Sequence, residues 1–385
     1  MKAFEYHPAG EIIFGNGRIS EIGNVVRRYG QRCLIVSGPK KGALADLYPI
    51  VGELLEHRGL EWLHFEGVKP NPTVALVSTG AKLARTFKAE VILGIGGGSS
   101  LDAAKAISVE ATHQGISWDY LAGQQPPTAR TLPVIAVGTT AGSGSQVNRL
   151  AAITNPGSRD KFALSSDHLI PRAAIIDPQL MLSVPTEVTA AAGFAAFSHA
   201  CESILNPQSS PLTELLGWEA VSRVVKHLPS AVRDGSNLGA RSSLAWADTL
   251  AGLATCESGL ALPHGIAMAI GGMFPEVPHG LALASIYRAC LEYIWPSGIT
   301  MFATLARLLE PALEGIPAPV AAQQCPDLVQ AFVARLGLAC TLRDFGFSED
   351  ELAALVRKTM VFPYYRNNPR VPGPDELLQI IEASY

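Results

Sequence analysis

The sequence of 385 residues holds only six cysteines, at positions 33, 201, 256, 290, 325 and 340, and no C-x-x-C pair. That scatter excludes a zinc ribbon and a disulfide framework; it fits reduced, mostly buried thiols in a cytoplasmic protein. Charge is scarce as well. Asp, Glu, Lys and Arg make up 17% of the chain, the net charge is −4 and the basic residues are dispersed, so no nucleic-acid surface is expected. Although 48% of residues are hydrophobic and mean hydropathy is +0.21, no uninterrupted apolar run reaches the length of a membrane span. The opening Met-Lys-Ala-Phe-Glu-Tyr-His lacks the apolar stretch of a secretory signal. Neither an internal repeat nor a low-complexity segment is present. The surplus of apolar residues is expected in a large core and in the interface of a homodimer or higher homo-oligomer.

The chain is longer than one hydrophobic core usually serves, and its pattern changes near the middle. Short apolar runs alternate with helical stretches up to residue 176: Ile12-Ile13-Phe14, Cys33-Leu-Ile-Val36, Glu61-Trp-Leu-His-Phe65, Val91–Leu93, Val134–Val137 and Ala173-Ala-Ile-Ile176. This alternation predicts an α/β dinucleotide-binding domain with a doubly wound, mostly parallel sheet over 1–184. Pro185 opens a run of helical periodicity, at 187–206, 211–227, 240–258, 262–272, 280–293, 300–312, 321–337 and 349–359. An all-helical domain over 185–385 is expected, with the ligand in the crevice between the two.

Two small-residue loops follow apolar runs in the first half. Residues 94–105 read Gly-Ile-Gly-Gly-Gly-Ser-Ser-Leu-Asp-Ala-Ala-Lys after Val91-Ile-Leu93, the order of a buried strand, a tight turn and a helix. Gly96, Gly97 and Gly98 let the backbone approach a pyrophosphate, and the helix starting near Ser99 adds partial positive charge there, with Asp102 one turn on. Gly138-Thr-Thr-Ala-Gly-Ser-Gly-Ser145 repeats the arrangement and brings Thr139, Thr140 and Ser143. Paired loops of this kind point to a dinucleotide cofactor. In the helical half His199, His264 and His279 have suggestive settings, the last two in Pro-His-Gly steps. Three imidazoles with one open position would make a Lewis acid for a carbonyl, although no H-x-x-x-H motif is present and buried structural histidines are the competing reading.

The chain resembles the iron-containing (group III) alcohol dehydrogenases of the dehydroquinate synthase-like superfamily. The resemblance rests on Ile-Ile-Phe-Gly-Asn-Gly at 12–17, Gly-Val-Lys-Pro-Asn-Pro-Thr at 67–73, the loops 94–105 and 138–145, Ile-Asp-Pro at 176–178, Thr-Ala-Ala-Ala-Gly at 189–193, Pro-His-Gly-Leu-Ala at 278–282 and Asn-Pro-Arg at 368–370. It implies hydride transfer between NAD(P)H and a small aldehyde or ketone, at a metal held between the lobes by one Asp and three His. It also implies that Thr139 and Thr140 contact the cofactor and that Asn71 and Lys161 line the same cleft.

The departures from the family pattern are specific. The helix Gly-x-Asp-Ala-x-x-His-x-x-Glu reads Gly193-Phe-Ala195-Ala-Phe-Ser-His199-Ala-Cys-Glu202, so Ala195 stands where the metal-binding Asp is expected. A family histidine near the nicotinamide is Met268, and the family's Gly-Ser-Glu is Gly144-Ser145-Gln146. His199, His264 and His279 remain as the metal or catalytic set, and divalent iron or zinc is an open question. Three readings follow: a reductase of small aldehydes or ketones with or without metal, a metal-independent reductase of an activated C=C bond like the maleylacetate reductases, or a cofactor-binding protein without catalysis. After the second strand, Ser37-Gly38-Pro39-Lys40-Lys41 lacks the carboxylate that would select NAD, and Lys40 and Lys41 could meet a 2′-phosphate. NADP is therefore expected over NAD, with Gly38 at the adenosine end.

Overall fold

The computed structural model describes residues 2–6, 10–39, 44–123 and 125–385. Strand and helix alternate in its first part: β1 (Glu11–Phe14), α1 (Ile22–Arg27), β2 (Arg32–Ser37), α2 (Leu47–Glu56), β3 (Glu61–Glu66), α3 (Val74–Phe87), β4 (Val91–Gly96), α4 (Gly98–Glu110) and β5 (Val134–Gly138). An antiparallel ribbon of β6 (Leu150–Asn155) and β7 (Asp160–Ser165) follows, then β8 (Ala173–Ile176). The six other strands form one parallel sheet in the order β1-β8-β5-β4-β2-β3. Every apolar run named above becomes one of its strands. The inner strands β4, β5 and β8 are buried on both faces, which is why they read as continuous apolar runs and not as alternation. Helices cover both faces over two separate apolar clusters.

From residue 186 the described chain has no strand. It forms α5 (Thr186–Leu205), α6 (Pro211–Arg233), α7 (Leu238–Ser258), α8 (Leu262–Met273), α9 (His279–Ile294), α10 (Ile299–Leu309), α11 (Ala318–Arg335), α12 (Glu349–Val361) and α13 (Pro374–Glu382), packed on one large core. By length and composition α5 could cross a membrane. However, 78% of its apolar window is buried inside the protein, the mark of a core helix. All six cysteines are free.

The sequence reading passed over the β6–β7 ribbon and α13. The ribbon strands are short and alanine-containing, with weak alternation, and only the turn residues Asn155-Pro-Gly-Ser158 announced a hairpin.

Two contacts fix how the halves meet. A Cβ on Gly144, whose φ is +60°, would lie 2.4 Å from Gly252 Cα, so the second small-residue loop packs backbone against backbone onto α7. At the junction, the buried Arg241 guanidinium of α7 donates to Val184 O (2.9 Å), Thr189 Oγ1 (2.7 Å) and Gly235 O (2.9 Å). One side chain thereby ties down both ends of the segment leading into α5.

Candidate active site

The carboxyl ends of β4 and β5 open into a cleft of about 580 Å³ whose opposite wall is formed by α5, α8 and the start of α9. This is where open α/β sheets bind ligands, because strand ends present loop backbone and helix N-termini together. On the sheet side, α4 begins with Gly97 as its N-cap and no side chain caps it. Its first amide N–H groups are left for an anion. The glycines are required by space: a Cβ on Gly97 would stand 2.9 Å from Thr140 Oγ1, and one on Gly98 2.8 Å from Ser143 Cβ. Two loops thus close on each other across a backbone cradle, which fits a pyrophosphate.

Beneath the cradle lies a buried polar hub. Lys105 is completely enclosed, and its Nζ lies within hydrogen-bond distance of Ser145 Oγ, Asn148 O, Asn148 Oδ1 and Leu150 O at 2.8–3.0 Å. Burial pushes its ammonium down to about 8. Asp102 accepts from Ser145 Oγ (2.7 Å) and from Ala152 N (3.1 Å), and burial raises its carboxyl above the usual range. The hub pins the second loop and β6 to α4.

Asn71 adopts the left-handed backbone (φ 54°) and bridges three elements. Its N–H donates to Ser99 Oγ (3.3 Å), its Nδ2 to Pro275 O (2.6 Å), and its Oδ1 accepts from Lys161 Nζ (2.7 Å). Burial also lowers Lys161 to about 8, against the opposing pull of Asp102.

On the helical side α5, α8 and α9 bring the three histidines together. The His199 and His264 rings stack with centroids 4.4 Å apart, and His264 and His279 lie 5.2 Å apart. His264 Nδ1 donates to Glu202 Oε1 (2.6 Å), whose other oxygen accepts from Ala261 N (2.8 Å). His199 Nδ1 donates to Gly142 O (3.0 Å), tying the set to the second loop. His264 Nε2 and His279 Nδ1 are buried without a partner. Burial pushes His199 and His279 well below the ordinary imidazole value; His264 adds to this at His199, and Lys161 and the other imidazoles add to it at His279. Both rings are therefore neutral at physiological pH.

Neutral imidazoles oriented by a carboxylate and a carbonyl suit a divalent ion chemically. Yet Ala195 contributes only a methyl group, so the three imidazoles have no anionic side chain beside them at the position where the expected set places its aspartate. The residues present do not fit the four-ligand ion that the resemblance implies.

Of the residues expected from the sequence, Asn71, Gly97, Gly98, Ser99, Asp102, Thr140, Ser143, Lys161 and all three histidines line this one cleft. Gly96 and Thr139 sit behind it, with Thr139 N donating to Gly96 O (2.9 Å). Gly38 follows β2 directly and is not itself in the lining, although a Cβ on it would lie 3.6 Å from the O of Val68, which is, and Lys40 and Lys41 lie outside the described residues. The sequence reading missed the roles of Glu202 and Lys105, and it missed Asp248. The three-residue spacing from His199 to Glu202 was a usable signal, since it puts both on one helix face. Asp248 accepts from Gly144 N (2.7 Å) and Gln146 Nε2 (2.7 Å), and burial raises it to about 6. Gln146 thus supplies a donor where a Glu would set two carboxylates face to face.

Comparison with known proteins agrees with this architecture. Residues 9–178 match the family model for iron-containing alcohol dehydrogenase, and residues 189–385 match the C-terminal model of the same family. The 1,3-propanediol dehydrogenase of Citrobacter freundii is 31% identical, with 100% of this chain and 99% of that protein aligned. A long-chain primary alcohol dehydrogenase of Thermoanaerobacter ethanolicus is 32% identical over 94% of this chain and 91% of that protein. Among solved structures, an archaeal halo-thermophilic alcohol dehydrogenase from a Red Sea brine pool superposes with a TM-score of 0.94 at 30% identity, covering 100% of both chains. The chain belongs to the iron-containing alcohol dehydrogenase family and is an oxidoreductase that interconverts small alcohols and carbonyl compounds with a nicotinamide dinucleotide.

Proposed function

We propose that the protein is an NADPH-preferring reductase of small aldehydes or ketones that works without a bound metal ion, on two lobes divided at residues 184 and 185. The observation that carries this reading is the juxtaposition in one cleft of an uncapped, glycine-cradled helix N-terminus and three convergent imidazoles with Ala195 where the family pattern has an aspartate. The amides of Gly97, Gly98 and Ser99 would hold the pyrophosphate, with Thr140, Ser143, Asn71 and Lys161 around the nicotinamide half. Preference for NADPH is supported by Ser37-Gly38-Pro39, which offers no carboxylate to repel a 2′-phosphate, and by Lys40 and Lys41 next in sequence. The reduced nicotinamide, when bound, supplies the hydride for the carbonyl carbon.

The protein's own groups manage the proton. Glu202 holds His264 with its proton on Nδ1, leaving Nε2 as a buried, unpartnered acceptor. In alcohol oxidation that nitrogen accepts the hydroxyl proton; in reduction Nε2 first takes a proton from solvent and the resulting imidazolium gives it to the carbonyl oxygen, with His279 Nδ1 a second group within the same site. Reduction of an activated C=C bond is a second reading, favoured by the methyl group of Ala195 beside the imidazoles. Cytoplasmic location is supported by six free thiols, and homo-oligomerisation by the apolar composition.

The test is oxidation of NADPH and NADH with a panel of aldehydes and of activated alkenes. The reading expects turnover with aldehydes and a higher kcat/KM for NADPH. A tenfold advantage for NADH rejects the cofactor assignment, and coenzyme binding without turnover of either panel rejects the reductase.

A further inference from the structure

The second small-residue loop, 139–146, is gripped from three directions. Ser145 Oγ ties it to Asp102 (2.7 Å) and Lys105 (3.0 Å) on α4. His199 of α5 donates to Gly142 O (3.0 Å), and a Cβ on Gly142 would stand 2.6 Å from Ala192 O. The third hold comes from α7. Asp248 and Gly252 are one turn apart on that helix and clasp the loop together. Gly252 does so by backbone contact with Gly144, and Asp248 through its carboxylate, which accepts from Gly144 N and Gln146 Nε2, each at 2.7 Å. The Gly142 N–H adds a smaller pull on the same carboxylate.

Asp248 is 1% exposed, on a stretch of α7 whose Ala245 and Leu253 share an apolar cluster with Val147. The groups that act on its carboxylate are N–H donors, none of them a cation. Burying a carboxylate without a cation is unfavourable, and a neutral amide in its place would avoid that cost. What the charge adds is strength, because hydrogen bonds to an ionised acceptor are shorter and about twice as strong as neutral ones. The loop held in this way touches both halves of the reaction. Thr140 and Ser143 close over Gly97 and Gly98 at the coenzyme cradle, and Gly142 O receives the His199 N–H. Any shift of the loop therefore moves cradle and imidazole together.

We propose that Asp248 is a positioning residue for the oxidoreduction: its carboxylate, matched by the amide of Gln146, fixes the 139–146 loop from the helical lobe and so sets the coenzyme cradle and the His199 imidazole in one arrangement. Gln146 is the complementary half of the device, because its amide presents an N–H to Asp248 where a carboxylate could not. The coenzyme half needs only that the cradle binds a nicotinamide dinucleotide. The His199 half rests on the reductase reading given above.

The experiment is a cycle of wild type, Gln146→Glu, Asp248→Asn and the double variant. The pH is held at about 8, which disfavours a proton shared between two carboxylates. Fluorescence titration gives Kd for NADPH and NADH, and kcat for aldehyde reduction is taken at saturating coenzyme. Circular dichroism and Tm report the fold. Gln146→Glu sets two carboxylates face to face; coenzyme should bind at least about tenfold more weakly and kcat should fall about 10–100-fold, with the dichroism unchanged. Asp248→Asn keeps an acceptor for Gly144 N, and Gln146 can turn its amide to accept, so only the charge is lost. Both quantities should then move the same way by about threefold. In the double variant the new amide donates to the new carboxylate, and both should recover to the level of Asp248→Asn.

A lower Tm in Gln146→Glu with unchanged Kd and kcat overturns the proposal, since the pair would then serve the fold alone. A double variant no better than Gln146→Glu overturns it as well. A change in Kd with wild-type kcat removes the His199 half. If Gln146→Glu does not fold, the double variant decides: a folded protein with the affinity and kcat of Asp248→Asn supports the proposal, and failure to fold overturns it. Absence of turnover in all four proteins, with the expected pattern in Kd, supports the hold on the cradle and rejects the reductase reading instead.

Discussion

His264 and Glu202 are joined by a hydrogen bond of 2.6 Å, Nδ1 to Oε1, with both side chains 1% exposed. They come from different helices, 62 residues apart in sequence. Because an ionised carboxylate can only accept, the bond fixes the imidazole tautomer and leaves the buried Nε2 as an unpartnered acceptor.

Replacement of Glu202 tests that relationship. Glu202→Gln keeps the shape but no longer fixes the tautomer, and kcat should fall about 10–100-fold, the usual cost of losing a partner that orients a functional histidine. Coenzyme affinity should stay within about twofold, since Glu202 lies outside the cradle. Glu202→Ala additionally strands the Ala261 and His264 N–H groups, at about 1–3 kcal/mol each in denaturant melts. Unchanged kcat in Glu202→Gln would remove His264 from proton transfer.

Gly97→Val places a branched side chain where even a Cβ would be 2.9 Å from Thr140 Oγ1. Coenzyme should bind at least about tenfold more weakly, about 1.4 kcal/mol, as measured by fluorescence titration. The far-ultraviolet circular dichroism spectrum should be unchanged, because the position lies at a loop surface facing the cleft. Wild-type affinity would show that the nucleotide docks elsewhere.

Lys161 carries a pH prediction. Its ammonium is lowered to about 8 by burial, so it is charged below that pH and neutral above it. Attraction for the anionic coenzyme should therefore be present at pH 7 and fade as pH rises through about 8. The Kd of NADPH should climb over that interval in the wild type and stay flat in Lys161→Met. Stability follows a related sign: the folded value lies below the ordinary 10.5, so the charged lysine is disfavoured in the fold and its penalty is relieved between about 8 and 10.5. Any stability advantage of Lys161→Met should shrink as pH rises through 8. A gap between the two proteins that does not change with pH contradicts the assignment.

Removal of divalent metal should leave turnover intact. Protein purified without a chelating tag should hold well under one iron or zinc per chain, and dialysis against a chelator should not slow it. Ala195→Asp restores an anionic donor beside His199 and should raise zinc affinity by about tenfold or more, read by elemental analysis and thermal shift. Stoichiometric metal in the wild type, with turnover lost on chelation and restored by the ion, refutes the metal-free reading.

The strands of the sheet were legible because strands buried on both faces are unbroken apolar runs, as in Val91–Leu93 and Val134–Val137. The helices of the second half were legible from their period. The glycine cradle was legible because only glycine permits backbone to approach so closely. By contrast β6 and β7 carry too little alternation to stand out, and Lys161 could be placed in the cleft only by family likeness. The partnership of Lys105 with Asn148 and Leu150 crosses more than forty residues and leaves no local trace.

Local sequence thus determined the elements, their order and the chemistry on offer, because propensity, period and steric permission act over a few residues. Which of those groups meet was decided by packing of distant segments. Glu202 acquires its partner, the carboxylate of Asp248 finds Gln146, and three imidazoles face an alanine only once α5, α7, α8 and α9 close against the sheet. Burial at that meeting point then sets the charge state of each group, and burial is a property of the folded chain alone.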